Sequence, residues 1–215
     1  MTEPLARKPR ERYREQVRAE IKQCAWEQIA TAGASALSLN AIAKRMGMSG
    51  PALYRYFTGR DELITELVRD AYRSLADALR TARERGADLT GLAVALRDWA
   101  LADPQRYFLI YGTPVPGYRA PGDTVEISDR IMSVLVEACA ELPREGPVTA
   151  FDTHLDDHRR WAGDRPEAAA VLHRAISVWT RLHGVLSLEL AGHFAGMRFD
   201  PALLYDAELN SVVKQ

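Results

Sequence analysis

Only two cysteines, Cys24 and Cys139, stand among the 215 residues, far apart and in no metal-ligand spacing. That scarcity excludes a disulfide framework and a cysteine-based zinc module. It leaves two free thiols, expected in the core of a protein of the reducing cytoplasm. No apolar run reaches the 18 residues that suggest a membrane-spanning helix. The basic start, MTEPLARKPRERYRE, lacks the apolar stretch of a signal peptide. No membrane partner is therefore expected.

Catalytic signatures are also missing. There is no glycine-rich phosphate loop and no G-x-S-x-G nucleophile turn. His154 and His158 are four apart beside Asp152, Asp156 and Asp157, as two ligands on one helix face would be. Leu155, however, stands where a zinc protease motif carries its glutamate. No metal, no cofactor and no enzymatic activity are expected. A helical-bundle enzyme or a protein-binding adaptor is the alternative reading.

Polar/apolar alternation and hairpin turns are absent too, and apolar residues recur at three- and four-residue steps throughout. The expected fold class is all-α, without internal repeats. An apolar share of 47% and a charged share of 27% suit an ordinary globular chain. The net charge of −1 hides an asymmetry. Residues 1–60 hold eleven Lys/Arg against five Asp/Glu, and residues 61–215 hold 17 against 24. A basic end on an acidic body suggests that one part alone contacts a polyanion. The expected division is a basic arm with a DNA-binding domain over residues 1–60, and a larger helical domain over residues 61–215.

Arg7, Lys8, Arg10, Arg12 and Arg14 lead into a first helix with Val17, Ile21, Cys24, Ala25 and Ile29 on one face, ended by Gly33. Ser38 is an expected N-cap for a short helix that Gly47 stops. Ser49 caps a third helix, with Pro51 in its first turn. Two short helices around a glycine turn form a helix-turn-helix, whose second helix can enter a major groove. Leu53 and Phe57, four apart, fix that helix inward. Gly50, Pro51, Ala52, Tyr54, Arg55 and Tyr56 are left outward. Arg55 can pair with guanine or phosphate, and the two tyrosine hydroxyls suit phosphate oxygens. Ser38 and Asn40 begin the preceding helix, where free N–H groups favour a phosphate.

A fourth helix from Thr58 or Gly59 to about Gly86 carries Leu63, Ile64, Leu67, Val68, Ala71, Tyr72, Leu75 and Leu79 as its stripe. At about 40 Å it is long enough to act as a stiff rod. Further helices are expected from Asp88, from Asp103-Pro104, from an Asp123/Glu126 capping box, over FDTHLDDHRRWAG, from Pro166 and from Asp200-Pro201. Residues 112–123, with three Pro and three Gly, are expected to be a loop.

The extended pattern resembles the N-terminal domain of TetR family transcriptional regulators. It comprises S-x-x-x-I-A at Ser38–Ala43, G-x-S-x-x-x-L-Y-x-Y-F at Gly47–Phe57 and R-x-E-L at Arg60–Leu63. The resemblance implies a repressor that binds a palindromic operator as a homodimer and is released by a small, lipophilic effector. It also implies a phosphate contact from Arg60, where relatives often carry lysine. Gly50 departs from the longer side chain of many relatives.

WTRLHG at Trp179–Gly184 and YGTPVPGYRAP at Tyr111–Pro121 are similar to the WHG-type C-terminal domain of this family. That likeness implies a ligand pocket, for which Trp99, Tyr107, Phe108, Tyr111, Met132, Phe151, Trp161, Trp179 and His183 are the candidates. The small residues Ala169, Gly184, Ser187, Ala191 and Gly192, with Leu188 among them, mark the expected dimer face on the last long helix and its successor.

Overall fold

The computed structural model describes residues 9–143, 147–162 and 167–213. Among these residues there are ten α-helices and no strand. They are α1 (Pro9–Ala32), α2 (Leu39–Arg45), α3 (Gly50–Tyr54), α4 (Arg60–Glu84), α5 (Leu89–Ala102), α6 (Pro104–Tyr111), α7 (Asp123–Ala140), α8 (Ala150–Asp157), α9 (Ala169–Leu190) and α10 (Pro201–Val213).

The helix starts follow their side chains. Ser38 Oγ accepts from Ala41 N at 3.3 Å and opens α2. Asp88 accepts from Gly91 N at 2.9 Å and Asp103 from Arg106 N at 3.2 Å, opening α5 and α6. Each satisfies an N–H that the first helical turn leaves without a partner.

Leu63 N donates to Gly59 O at 3.3 Å, so Gly59 caps α4, and Thr58 N–H before it donates to Glu62 Oε2 at 2.6 Å. One expectation fails here. No capping box forms at Asp123 and Glu126, because Gly122 is the N-cap and both acids already lie in the first turn of α7. The capping box is at α8: Asp152 N donates to Thr149 Oγ1, and Thr149 N returns a bond to Asp152 Oδ2 at 2.6 Å. Arg7, Lys8 and Pro166 lie outside the described residues.

The chain divides into two compact units. The first unit runs to Asp70 and takes in Thr113–Pro121; the second holds Ala71–Gly112 and the chain from Gly122 onward. In the first unit α1 buries Val17, Ile21, Ala25 and Ile29. The other core residues are Ile42 and Ala43 of α2, Leu53 of α3, Phe57, and Leu63, Ile64 and Leu67 of α4. The glycine- and proline-rich loop joins this unit through Tyr118, whose hydroxyl lies 3.1 Å from Thr65 Oγ1.

The second unit packs α5, α7, α9 and α10 around a core that includes Leu96, Tyr107, Ile131, Val136, Leu172, Val178, Leu186 and Tyr205. Two polar contacts lock it. The Tyr205 hydroxyl donates to Ala93 O at 2.8 Å, and Arg97 pairs with Glu189 at 2.8 Å. Both cysteines are free. Cys24 is half-buried and Cys139 fully buried. Burial pushes the Cys139 thiol up to about 12, so it is inert as a nucleophile.

Candidate nucleic-acid interface and pocket

The reading helix α3 is short, and what holds it matters more than its length. Leu53 and Phe57 are wholly buried, while Pro51, Tyr54 and Arg55 are exposed. Ala52 and Tyr56 are half-buried. The turn before α3 uses Gly47 at φ 65°, a left-handed conformation that costs glycine little. Ser49 sits at the N-cap but makes no side-chain capping bond, so its exposed hydroxyl is not consumed by the helix. Gly50 lies beside Asn40: a Cβ at Gly50 would meet Asn40 Oδ1 at 3.9 Å, an ordinary contact. No steric demand of the chain therefore requires glycine there.

One anchor was not legible in the sequence. The Arg18 guanidinium lies 4.1 Å from the centre of the Phe57 ring and donates to Tyr56 O. It also approaches Glu62 and Glu66 at 3.8 Å each. Arg18 thus ties the C-terminal side of the reading helix to α1 and α4. In the sequence it reads only as one more basic residue of the arm. Burial acts to raise the Glu62 carboxyl, but bonds from Thr58 N–H and O–H, with Arg18 nearby, outweigh it and hold Glu62 below the usual carboxylate range.

Arg60 does not stand free. Its Nη2 donates to Ala34 O at 3.1 Å and Ser35 O at 3.2 Å, which ties the start of α4 to the turn after α1. Ser38 is similarly engaged: Ser38 N donates to Gln28 Oε1 at 3.0 Å. Asn40 is exposed. Beside α3, the first turns of α1 and the end of the reading helix enclose a groove of about 590 Å³ lined by Arg10, Glu11, Tyr13, Arg14, Arg55 and Tyr56.

Comparison with known proteins decides what this arrangement belongs to. Residues 23–67 match the family described as bacterial regulatory proteins, tetR family, and residues 89–212 match the tetracyclin repressor-like C-terminal domain. The chain belongs to the TetR family. The HTH-type transcriptional regulator Rv1816 of Mycobacterium tuberculosis is 35% identical over 216 residues, covering 93% of this chain and 92% of the relative. Mb1846 of Mycobacterium bovis matches to the same extent. Among solved structures, the candidate regulatory protein SCO4313 is 72% identical at a TM-score of 0.91, covering 97% of this chain and all of its own. A Rhodococcus sp. RHA1 protein of unknown function shares the fold at 23% identity and a TM-score of 0.67, covering 99% of this chain and 98% of its own. The chain is accordingly a transcriptional regulator with a helix-turn-helix DNA-binding domain.

In this TetR family chain the second unit holds a cavity of about 280 Å³, lined by Tyr72, Tyr111, Ser128, Asp129, Met132, Trp161 and Trp179. Four of the expected pocket residues, Tyr111, Met132, Trp161 and Trp179, are brought together there. Five are not. Tyr107 is fully buried and bonded to Ser187 Oγ at 2.8 Å. Trp99 Nε1 donates to Ser74 at 3.1 Å, and Phe108 packs on the core. Phe151 packs edge-on against His173, ring centres 4.9 Å apart. His183 lies behind the wall, its ring 4.3 Å from Tyr111 and 4.0 Å from Trp179. Burial lowers His183 to about 4, so it is neutral at physiological pH. Tyr72 reads in the sequence as part of the α4 stripe. Ser128 and Asp129 lie one helical turn before Met132, a spacing that could have marked them.

The expected dimer residues separate likewise. Gly184, Leu188, Ala191 and Gly192 are exposed, whereas Ala169 is buried in the core and Ser187 is bonded to Tyr107. Thr180, Gly184 and Leu188 form one exposed row at four-residue steps on α9, and Leu203 of α10 is 69% exposed. The rings of His154 and His158 stack at 4.1 Å, and no metal-ligating group of three or more occurs among the described residues.

Proposed function

We propose that the protein is a homodimeric repressor that binds a palindromic operator, releases it when a small molecule enters the second unit, and acts by binding rather than catalysis. The carrying observation is the division of α3. Leu53 and Phe57 are sealed inside while Pro51, Tyr54 and Arg55 stand out, so the exposed side of the helix is small, basic and phenolic. Such a face suits close approach to a groove, with hydroxyl and guanidinium bonds to phosphates. One helix-turn-helix reads few base pairs, which favours a dimer on two half-sites. Exposed Leu188 beside the small Gly184 on α9, and Leu203 on α10, offer apolar surface for it. A ligand displaces the operator only if it binds the two states of the dimer unequally. Such a regulator works in the cytoplasm, where its DNA is.

The test is a fluorescence-anisotropy titration of DNA from upstream of the gene, with mass photometry of the complex. Tyr54→Phe with Arg55→Ala is expected to weaken binding at least tenfold and to lower the salt slope by about one released counterion for the lost arginine. Wild-type affinity in this double variant overturns the assignment of α3. A complex with one protein copy overturns the dimer.

A further inference from the structure

One free amide lies where the reading helix begins. Asn40 is exposed, and neither its amide oxygen nor its amide nitrogen bonds to any described residue. It stands on α2, but across the turn it borders Gly50, the first residue of α3. A Cβ at Gly50 would lie 3.9 Å from Asn40 Oδ1.

Nothing in the backbone asks for glycine at position 50. Its φ is outside the left-handed region, and a Cβ would make only that ordinary contact. What the glycine does is leave the Asn40 amide bare. A longer side chain would start beside the amide and compete with it for the same patch of surface. The first residues of a reading helix are the ones that meet base edges in the major groove. With no side chain at position 50, the group beside that point is carried by the neighbouring helix.

The competing use of Asn40 is a phosphate contact, and the start of α2 does not favour one. Ser38 N is taken by Gln28 Oε1 at 3.0 Å, and Ala41 N by Ser38 Oγ at 3.3 Å. The carboxamide chooses its base by chemistry. It presents an acceptor oxygen and a donor nitrogen in one plane. Of the single bases, only adenine shows the matching pair in the major groove, a donor at N6 beside an acceptor at N7. Guanine shows two acceptors, cytosine one donor, and thymine one acceptor beside a methyl group. We infer that Asn40 reads an adenine edge in the operator, through paired hydrogen bonds at N6 and N7, at the position that Gly50 leaves open. This inference rests on the reading of α3 as the helix that enters the groove.

The test uses the full chain to select duplexes from a randomised library, then titrates the winning duplex by fluorescence anisotropy. Each adenine is replaced in turn by 7-deazaadenine, which lacks the N7 acceptor and keeps its pairing with thymine. At one adenine the replacement should weaken wild-type binding about tenfold. The same replacement should leave Asn40→Ala binding unchanged, because the amide that senses N7 is gone. Asn40→Asp keeps the size and loses the donor, so it should be equally blind to N7 whatever its overall affinity. The readout is a ratio of two duplexes on one protein, so any change in stability cancels from it. Absence of an N7-sensitive adenine, or N7 sensitivity that survives either substitution, overturns the inference. Weakening of every duplex alike by Asn40→Ala marks a backbone contact and overturns it too, with the reading of α3 left standing. Wild-type affinity for the selected duplex in the Tyr54→Phe, Arg55→Ala protein overturns the reading of α3 and this inference with it.

Discussion

Gly33 sits at φ 77° and ψ 162°, a region that side-chain-bearing residues scarcely enter. Its N–H still donates to Ile29 O at 2.8 Å, closing α1. Gly33→Ala meets no steric neighbour, so its cost is purely of backbone conformation, about 1–3 kcal/mol. Urea unfolding should read that loss directly. Gly50 is the contrasting case. Nothing blocks a Cβ there, so Gly50→Ala should leave unfolding unchanged within about 0.5 kcal/mol and change operator affinity instead. A variant that loses stability and keeps affinity would reverse the assignment of that position. The role of Gly33 was legible because a helix end before a capped helix needs such a residue. Arg18 was not, because its task depends on the Phe57 ring and Tyr56 carbonyl, which only the fold brings near.

Among the elements, α2 shows how a short helix depends on its first residue. Seven residues are too few to be stable alone, and the Ser38 side chain supplies a bond to the first turn. Ser38→Ala should cost about 1 kcal/mol, seen as faster amide exchange at Ala41 before any global change. α8 depends on Thr149 and Asp152 in the same way, with His173 Nδ1 at 2.9 Å from the other Asp152 oxygen. That capping box escaped the sequence because the usual pattern ends in Glu or Gln, and here the shorter Asp completes it. Helix identity and order were readable from apolar spacing. The pocket wall was less so, because aromatic residues that fill a core and those that line a cavity obey the same period. Tyr107 and Tyr111, both on α6, took opposite roles.

Across the whole molecule, pH acts through His183. Its folded-state value near 4 lies below the 6.5 of an exposed imidazole. Between those values the unfolded chain binds a proton that the folded chain refuses, so stability falls as pH falls through that window, by about 1.4 kcal/mol per pH unit at the steepest. Denaturant titrations at pH 7 and pH 4.5 should show a larger drop for the wild type than for His183→Gln. Equal drops would mean that the imidazole is protonated in the folded state. Losses from Glu62 and Asp152, whose carboxyls are held below their usual range, come at lower pH still.

The loop Thr113–Pro121 belongs to the unit that contains the reading helix, although the chain on both sides of it belongs to the other. Neither unit is therefore one continuous stretch of gene. A graft of this DNA-binding unit onto a foreign sensor must carry two separate coding segments, and one cut after Asp70 leaves Thr65 without Tyr118. Recombination within such genes is constrained accordingly: a single crossover cannot exchange this head intact.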